Sequence, residues 1–411
     1  MIVVSRAVVL TPVCDISVTI GKRNVPARIL YYGLVVILTV DPGLLPPLLP
    51  IPSFSDKDYK IGDEIKFYAL SHQHQLVQRS TAISMISSIP SNPNTPIPTW
   101  RIISTEAYNI RDAPHGVGGV LCDSSDDSIF AFWMEVKYGN SEYYVGLSYQ
   151  FYLRPIIDAL KNDSEVPSWY CGCVFDQCHL AKAIDLGMPE YRAAQINEIA
   201  KSIGTGAHAV FVEEKLTQSI CDLQIGDFIL EIEDEPVGRM ADIRFFSQSE
   251  STRAFVLRSG KEIEIEVRSS HLPFTGPPKL VCWGGTILQQ TPIFALEQTT
   301  PEFIQAAKKG GVTDLESMIY IGACFNGSPA DGVLSSAIWI LEIDDQKVNW
   351  LENLLGIIDK LKGRDNDEYI RVKLIGMQGI TSIVGIRLNS HFWPSWILEW
   401  NGRKWARTEL D

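Results

Sequence analysis

Nucleophile, base and acid types crowd into one stretch of this sequence. His115 is followed closely by Asp123, Ser124, Ser125 and Asp126. Those are the groups acyl transfer needs: a hydroxyl to attack, an imidazole to take its proton and a carboxylate to orient the imidazole. Geometry decides such cases, and neighbours within one hairpin loop rarely converge on each other. Asp-Ser-Ser-Asp-Asp is also turn composition, so the run reads as a solvated turn. The other histidines (His72, His74, His179, His208, His271, His391) are scattered. They read as surface or satisfied interior groups.

A second set is Cys171, Cys173, Cys178 and His179, which could offer zinc three thiolates and one imidazole. Cys-x-Cys is tighter than the usual ligand spacing, and no second pair follows nearby. Small buried thiols around a strand are expected instead, with no metal and no cofactor. The most specific run is Asp222 to Ile232, a Leu-x-x-Gly-Asp turn feeding an Ile-Leu-x-Ile strand, then Glu235-Pro236-Val237. Gly226 suits a positive φ, and Asp227 can bond back to the backbone.

The elements that must position these groups follow from pattern. Up to about Pro155 short runs rich in Val, Ile, Thr and Tyr alternate with turn residues, which indicates a sandwich or barrel. Ile29–Val40 reads as one buried strand. Its dozen residues fall short of the ~18–20 a membrane helix needs. Ile156–Lys161 reads as a short helix and Asn162–Pro167 as a linker. From Trp169 onward strands mix with helices, among them Tyr191–Ser202, Met240–Ser247 and Trp350–Leu361. Two units, each with the same order of elements, form a tandem repeat of roughly 110 residues, too long for a solenoid. The aromatic segment Trp393–Trp405 is expected to pack on the last unit. The boundaries implied are 1–165, 168–272 and 278–411.

Composition excludes some roles. Of 411 residues, 36 are basic and 49 acidic, a net charge of −13 with no Lys/Arg cluster, so no nucleic-acid face is expected. The eight cysteines mostly stand singly in apolar runs, and no secretory signal opens the chain, which favours a reducing compartment.

The turn at Leu223–Asp227, with His179–Ala183, Ala207–Val212 and the Met240–Ser247 helix in that order, resembles the circularly permuted PDZ domains of HtrA-type proteases. In those domains an apolar-Gly-apolar loop holds a peptide's terminal carboxylate, and the peptide adds as an extra strand. The matching peptide-binding loops are Cys171-Gly172-Cys173 and, in the second unit, Trp283-Gly284-Gly285. The second unit keeps Gly327-Ser328-Pro329-Ala330 but has Ser335-Ser336-Ala337 for the Gly-Asp turn, as in a decayed copy. The first part resembles the trypsin-like barrels of the same enzymes. There the resemblance puts Val117, in Gly116-Val117-Gly118-Gly119, where the nucleophile belongs, Ala7 at the base position and Leu34 at the orienting acid. Valine has no nucleophilic atom, alanine no base and leucine no carboxylate, and loss of one triad member already removes most of the rate.

Over nearly its whole length the chain is similar to the C-terminal half of the fungal nuclear HtrA-like serine proteases, a pro-apoptotic family with two protease–PDZ repeats. The fold implied is mostly β with α+β modules: a trypsin-like double β-barrel, incomplete at its N-terminus, then two PDZ-like domains. Met1 falls close to the strand before the base position, so opening strands of the first barrel are expected to be missing, as in a truncated gene model or half of a split protein. The resemblance implies a degenerate repeat that binds protein C-termini or extended peptides, or docks on a catalytic half or a second copy. It implies nuclear residence, otherwise cytoplasmic, with no membrane partner. The family's alternative is an active serine endopeptidase of apoptosis and lipid homeostasis.

Overall fold

The named strands in the first part of the chain pair antiparallel, with one isolated parallel bridge between Phe54 and Ile129. The computed structural model describes residues 1–6, 8–9, 15–45, 51–71, 73, 75–91, 103–112, 118–138, 141–166, 169–215, 219–271, 278–292, 295–296, 299–362, 368–400 and 405–410. Strands β1 (Ile2–Ser5), β2 (Ile16–Ile20), β3 (Arg23–Tyr32) and β4 (Val35–Val40) form an open sheet in the order β1-β4-β3-β2. The expected single strand Ile29–Val40 is therefore two strands. The run folds back at Gly33–Leu34, and this lets β4 bury both faces, Val35 and Ile37 in one core and Val36 and Leu38 in another.

Strands β5 (Glu64–Leu70), β6 (Leu76–Ser91), β7 (Ile103–Ile110), β8 (Gly119–Asp123), β9 (Ile129–Tyr138) and β10 (Ser141–Ser148) close a barrel in the order β10-β7-β6-β5-β8-β9. Ile65, Phe67, Ile83, Leu121 and Trp133 fill its interior. Toward the open sheet the barrel turns Met134, Val136, Val145 and Leu147. They meet Tyr31, Val35 and Ile37, and helix α1 (Arg154–Lys161) adds Ile156 and Ile157. The result is the expected two-lobed β arrangement, with a four-stranded, open first lobe.

The rest of the described chain repeats one sheet twice. A short pair, β11 (Trp169–Tyr170) with β18 (Ser270–His271), flanks the first copy. That copy takes β12 (Cys173–His179), β13 (His208–Lys215), β14 (Phe228–Ile232), β16 (Ser251–Arg258) and β17 (Lys261–Arg268) in the order β12-β13-β14-β16-β17, with β15 (Glu235–Pro236) paired to β14. Helices α2 (Leu180–Asp185) and α3 (Glu190–Ile203) cover one face, and a 3₁₀ helix, Met240–Ser247, covers the other. Gly204, left-handed at φ 70°, ends α3.

The second copy follows the same path with β20 (Thr286–Gln290), β21 (Ile319–Cys324), β22 (Ile338–Ile343), β23 (Gln346–Lys347), β24 (Tyr369–Gly376) and β25 (Thr381–Arg387), and with helices α4 (Pro301–Lys309) and α5 (Leu351–Leu361). Even the register irregularities correspond, at Ile229/Glu231 in one copy and Ile340/Glu342 in the other. Three further strands enlarge the second sheet: β19 (Lys279–Trp283), β26 (Trp396–Trp400) and β27 (Trp405–Glu409). Trp396–Trp400 and Trp405 of the aromatic segment are thus built into the sheet. No helix among the described residues is long and apolar enough to cross a membrane.

One ion pair ties the barrel to the first copy. Arg239, just before the 3₁₀ helix, sends Nε to Glu106 Oε2 at 3.0 Å and a second nitrogen to Glu106 Oε1. Its Nη1 reaches Asp58 at 3.2 Å, and its guanidinium lies 4.5 Å from the Phe151 ring centre. Both Arg239 and Glu106 are buried. Removing one partner of such a pair strands a charge out of water. Glu106→Gln should therefore cost about 3–5 kcal/mol in denaturant unfolding, whereas Glu106→Leu with Arg239→Met should return most of that loss. A cost for Glu106→Gln below about 1 kcal/mol, the scale of exposed pairs, would refute the assignment.

Candidate functional site: an edge-strand groove in the first PDZ-like copy

Gly172 opens the groove. Its φ is +72°, which favours glycine, and a Cβ there would stand 2.6 Å from Ser219 Cβ. Ser219 Oγ lies 2.6 Å from the Cys171 carbonyl and donates to it, fixing the Cys171-Gly172-Cys173 loop against its neighbour. From Cys173 the chain enters β12, which has β13 on one side and is otherwise the edge of its sheet. Between that edge and the 3₁₀ helix lies a pocket of about 150 Å³, lined on this side by Cys171, Cys173, Phe175, Met240, Ile243 and Phe246. Tyr31, Phe151 and Ile156 close it from the barrel side.

Successive outward-facing backbone groups on such an edge belong to alternate residues, here Cys173 and Phe175. The Phe175 position is already taken. Its N–H donates to Ser104 Oγ at 3.1 Å, and Ser104 Oγ donates to the Phe175 carbonyl at 2.9 Å. A barrel side chain thus satisfies both groups of Phe175 that an added strand would use, and the loop end of the edge, at Cys173, carries no such side chain among the described contacts. Sequence reasoning missed Ser104, since nothing local links a serine to a strand 71 positions away.

The second copy places its matching residues differently. Gly284 and Gly285, at φ 58° and 80°, form the two-residue turn of the β19–β20 hairpin, in which Trp283 pairs with Thr286. Gly284 O accepts from Ala330 N and Gly285 O from Phe325 N, and Trp283 is fully buried. Because β20 corresponds to β12, β19 lies along the edge that the first copy leaves open.

The three positions compared with a catalytic triad fare as follows. Ala7 and Val117 lie outside the described residues, as does His115. Leu34 sits in the β3–β4 turn, half-buried and packed on the core between the two lobes. Ser5 pairs with Val35 and Arg6 donates to Gly33 O at 3.3 Å, so the end of β1 does meet the Leu34 turn. The Asp123–Asp127 run is a satisfied turn. The Ser125 hydroxyl donates to Asp123, and the Ser128 hydroxyl donates to Asp126 at 2.6 Å. The candidate zinc ligands do not gather either: Cys171 and Cys173 face one core and Cys178 another. No group that could hold a metal occurs among the described residues.

No protein-family model matches the chain. Pro-apoptotic serine protease NMA111 of Coccidioides immitis is 22% identical over 414 residues, covering 96% of this chain and 38% of that protein. The protein of the same name from Debaryomyces hansenii is 24% identical over 433 residues, covering 100% and 41%. A PDZ domain-containing protein of Schizosaccharomyces pombe is 24% identical, covering 96% and 39%. The chain thus spans about two fifths of the length of these relatives. Among solved structures, the HtrA-type protease AlgW with decapeptide overlays 63% of this chain and 76% of its own at a TM-score of 0.39 and 15% identity. The serine endoprotease from Yersinia pestis overlays 63% and 80% at 0.34 and 12%.

Asp123 generates a pH dependence. Hydrogen bonds from the Ser125 hydroxyl and N–H, then Lys57 at 3.0 Å, hold its carboxyl well below the usual range, and Tyr59 adds another at 2.9 Å. A depressed folded-state pKa contributes stability above the unfolded value, about 3.9, and that contribution is lost as pH falls through the folded one. Unfolding free energy should therefore decline from about pH 4 downward. Asp123→Asn should flatten that acid limb in a pH series of denaturant melts, and an unchanged limb would count against the turn's role.

Proposed function

We propose that this chain, a relative of the fungal HtrA-like serine proteases, is a non-catalytic protease-like and PDZ-like half that binds the C-terminal ends of proteins through its first PDZ-like copy. The observation that carries this reading is the open loop end of β12, set beside an apolar pocket against the 3₁₀ helix. Backbone N–H groups around Gly172 suit a carboxylate, and the pocket suits an apolar terminal side chain. Ser104 limits the register, so only the last residues of a ligand lie along the edge while the barrel stays in place. The second copy, its edge lined by β19, acts in support. Docking on a catalytic half or a second copy, and the nuclear, pro-apoptotic setting, belong to the same reading. So does the loss of peptidase activity, which Leu34 in an apolar core and the carboxylate-bound hydroxyls of Ser125 and Ser128 support.

Two measurements test this. A fluorescent peptide with an apolar C-terminal residue should bind, its amidated copy should not, and Gly172→Pro should weaken binding at least about tenfold, or 1.4 kcal/mol. Ser104→Ala should tighten binding of a ten-residue peptide and leave a dipeptide unchanged. Equal binding of the amidated peptide would end the carboxylate reading. Separately, a fluorophosphonate probe should leave the chain unlabelled; labelling lost on Ser124→Ala or Ser125→Ala would restore the peptidase.

A further inference from the structure

Two cysteines stand in contact at the base of the Gly172 loop, 48 residues apart in sequence. Cys173 Sγ and Cys221 Sγ are 3.4 Å apart, both buried in the same core, and both are free thiols. Cys178 lies in another cluster and Cys282 in the second copy. Cys171 also neighbours Cys173, through its carbonyl at 4.0 Å and through its own thiol.

The surroundings favour reaction. The two sulfurs share a hydrogen bond in which either can donate, and the Leu223 N–H and the charge of Lys215 favour a thiolate at Cys221. Against burial, these hold the Cys221 thiol below its ordinary value, while Cys171 first, then Cys221 and burial, drive the Cys173 thiol up. The thiolate is the form that reacts, and two sulfurs in contact let the second close on the first once it is oxidised. Cys173 is also a lining residue of the 150 Å³ pocket, which puts the pair at the wall of the groove.

We propose that Cys173 and Cys221 form a reversible disulfide when a small hydroperoxide enters the groove. One sulfur of the pair, as thiolate, attacks a peroxide oxygen. The O–O bond breaks, the thiolate becomes a sulfenic acid, and the leaving oxygen takes a proton to depart as water (or alcohol). The second thiol gives up its proton and attacks that sulfur, expelling the sulfenic oxygen as water. Two thiols lose two electrons in all, and the peroxide gains them. Closing the sulfurs from 3.4 Å to the ~2.05 Å of a disulfide requires more than an ångström of approach, which draws the start of β12 toward the segment after Ser219. The proposal does not depend on whether a peptide binds.

The test is direct. The full chain is treated with hydrogen peroxide, remaining thiols are alkylated, and a non-reducing digest is read by mass spectrometry. The expected result is a linked fragment containing Cys173 and Cys221, which disappears on adding dithiothreitol. Cys173→Ser and Cys221→Ser should each abolish the fragment, and Cys178→Ser should leave it. Should both cysteines of the unsubstituted chain remain fully alkylatable after peroxide, or should Cys173 link to Cys171 instead, the proposal is overturned. This readout on the unsubstituted chain decides even if a serine variant fails to fold.

Discussion

A β-strand at the rim of a sheet carries unpaired N–H and C=O groups, and what meets them decides how this molecule is put together. The barrel removes the problem by closing on itself. The second PDZ-like copy meets it with its own chain, β19 lying along β20 and β26 along β19. The first copy leaves the rim of β12 to an adjoining lobe, where one serine hydroxyl stands in for a strand. One backbone requirement, met in three ways, separates closed parts from the part that can receive something.

The junction between barrel and first copy has a matching logic. The 3₁₀ helix that walls the pocket begins beside Arg239, whose charge is neutralised by Glu106 on β7, the strand that also carries Ser104. The same strand therefore anchors the helix on one side of the groove and occupies the edge on the other. Buried charge pairs give direction more than stability, because desolvation consumes much of their attraction. Here the direction is set by a planar, two-pronged contact that fixes how the helix sits on the barrel.

Local chemistry was readable from the residues alone. The Leu223–Asp227 turn is as its residues demand: Gly226 takes φ +89°, and Asp227 accepts from Gln224 N at 2.8 Å. Asp227 also receives Arg258 in a bidentate pair, a distant partner that no spacing rule names. The tandem copies were legible for the same reason, since each repeats the same succession of turns and periodicities. The break in Ile29–Val40 was not, because β-branched residues surround Gly33 and a hairpin leaves no mark in apolar content. The occupants of the sheet edges were hidden too. Alternation fixes which face of a strand is buried but not which other strand, or which single hydroxyl, lies beside it. Trp283-Gly284-Gly285 falls at the carboxylate loop by position in the sequence, yet its glycines are explained by a tight turn between strands that pair.

The β19–β26 pairing also bears on how the chain is made. Leu280 lies opposite Leu398, more than a hundred residues later, so the second copy's sheet cannot be finished during synthesis until its last strands have left the ribosome. Distant pairings of this kind are slow to form, since chain must be gathered before contact rewards it. Until then the outer side of β19 waits, apolar and unpaired. A chaperone that recognises exposed strand would find a client segment there.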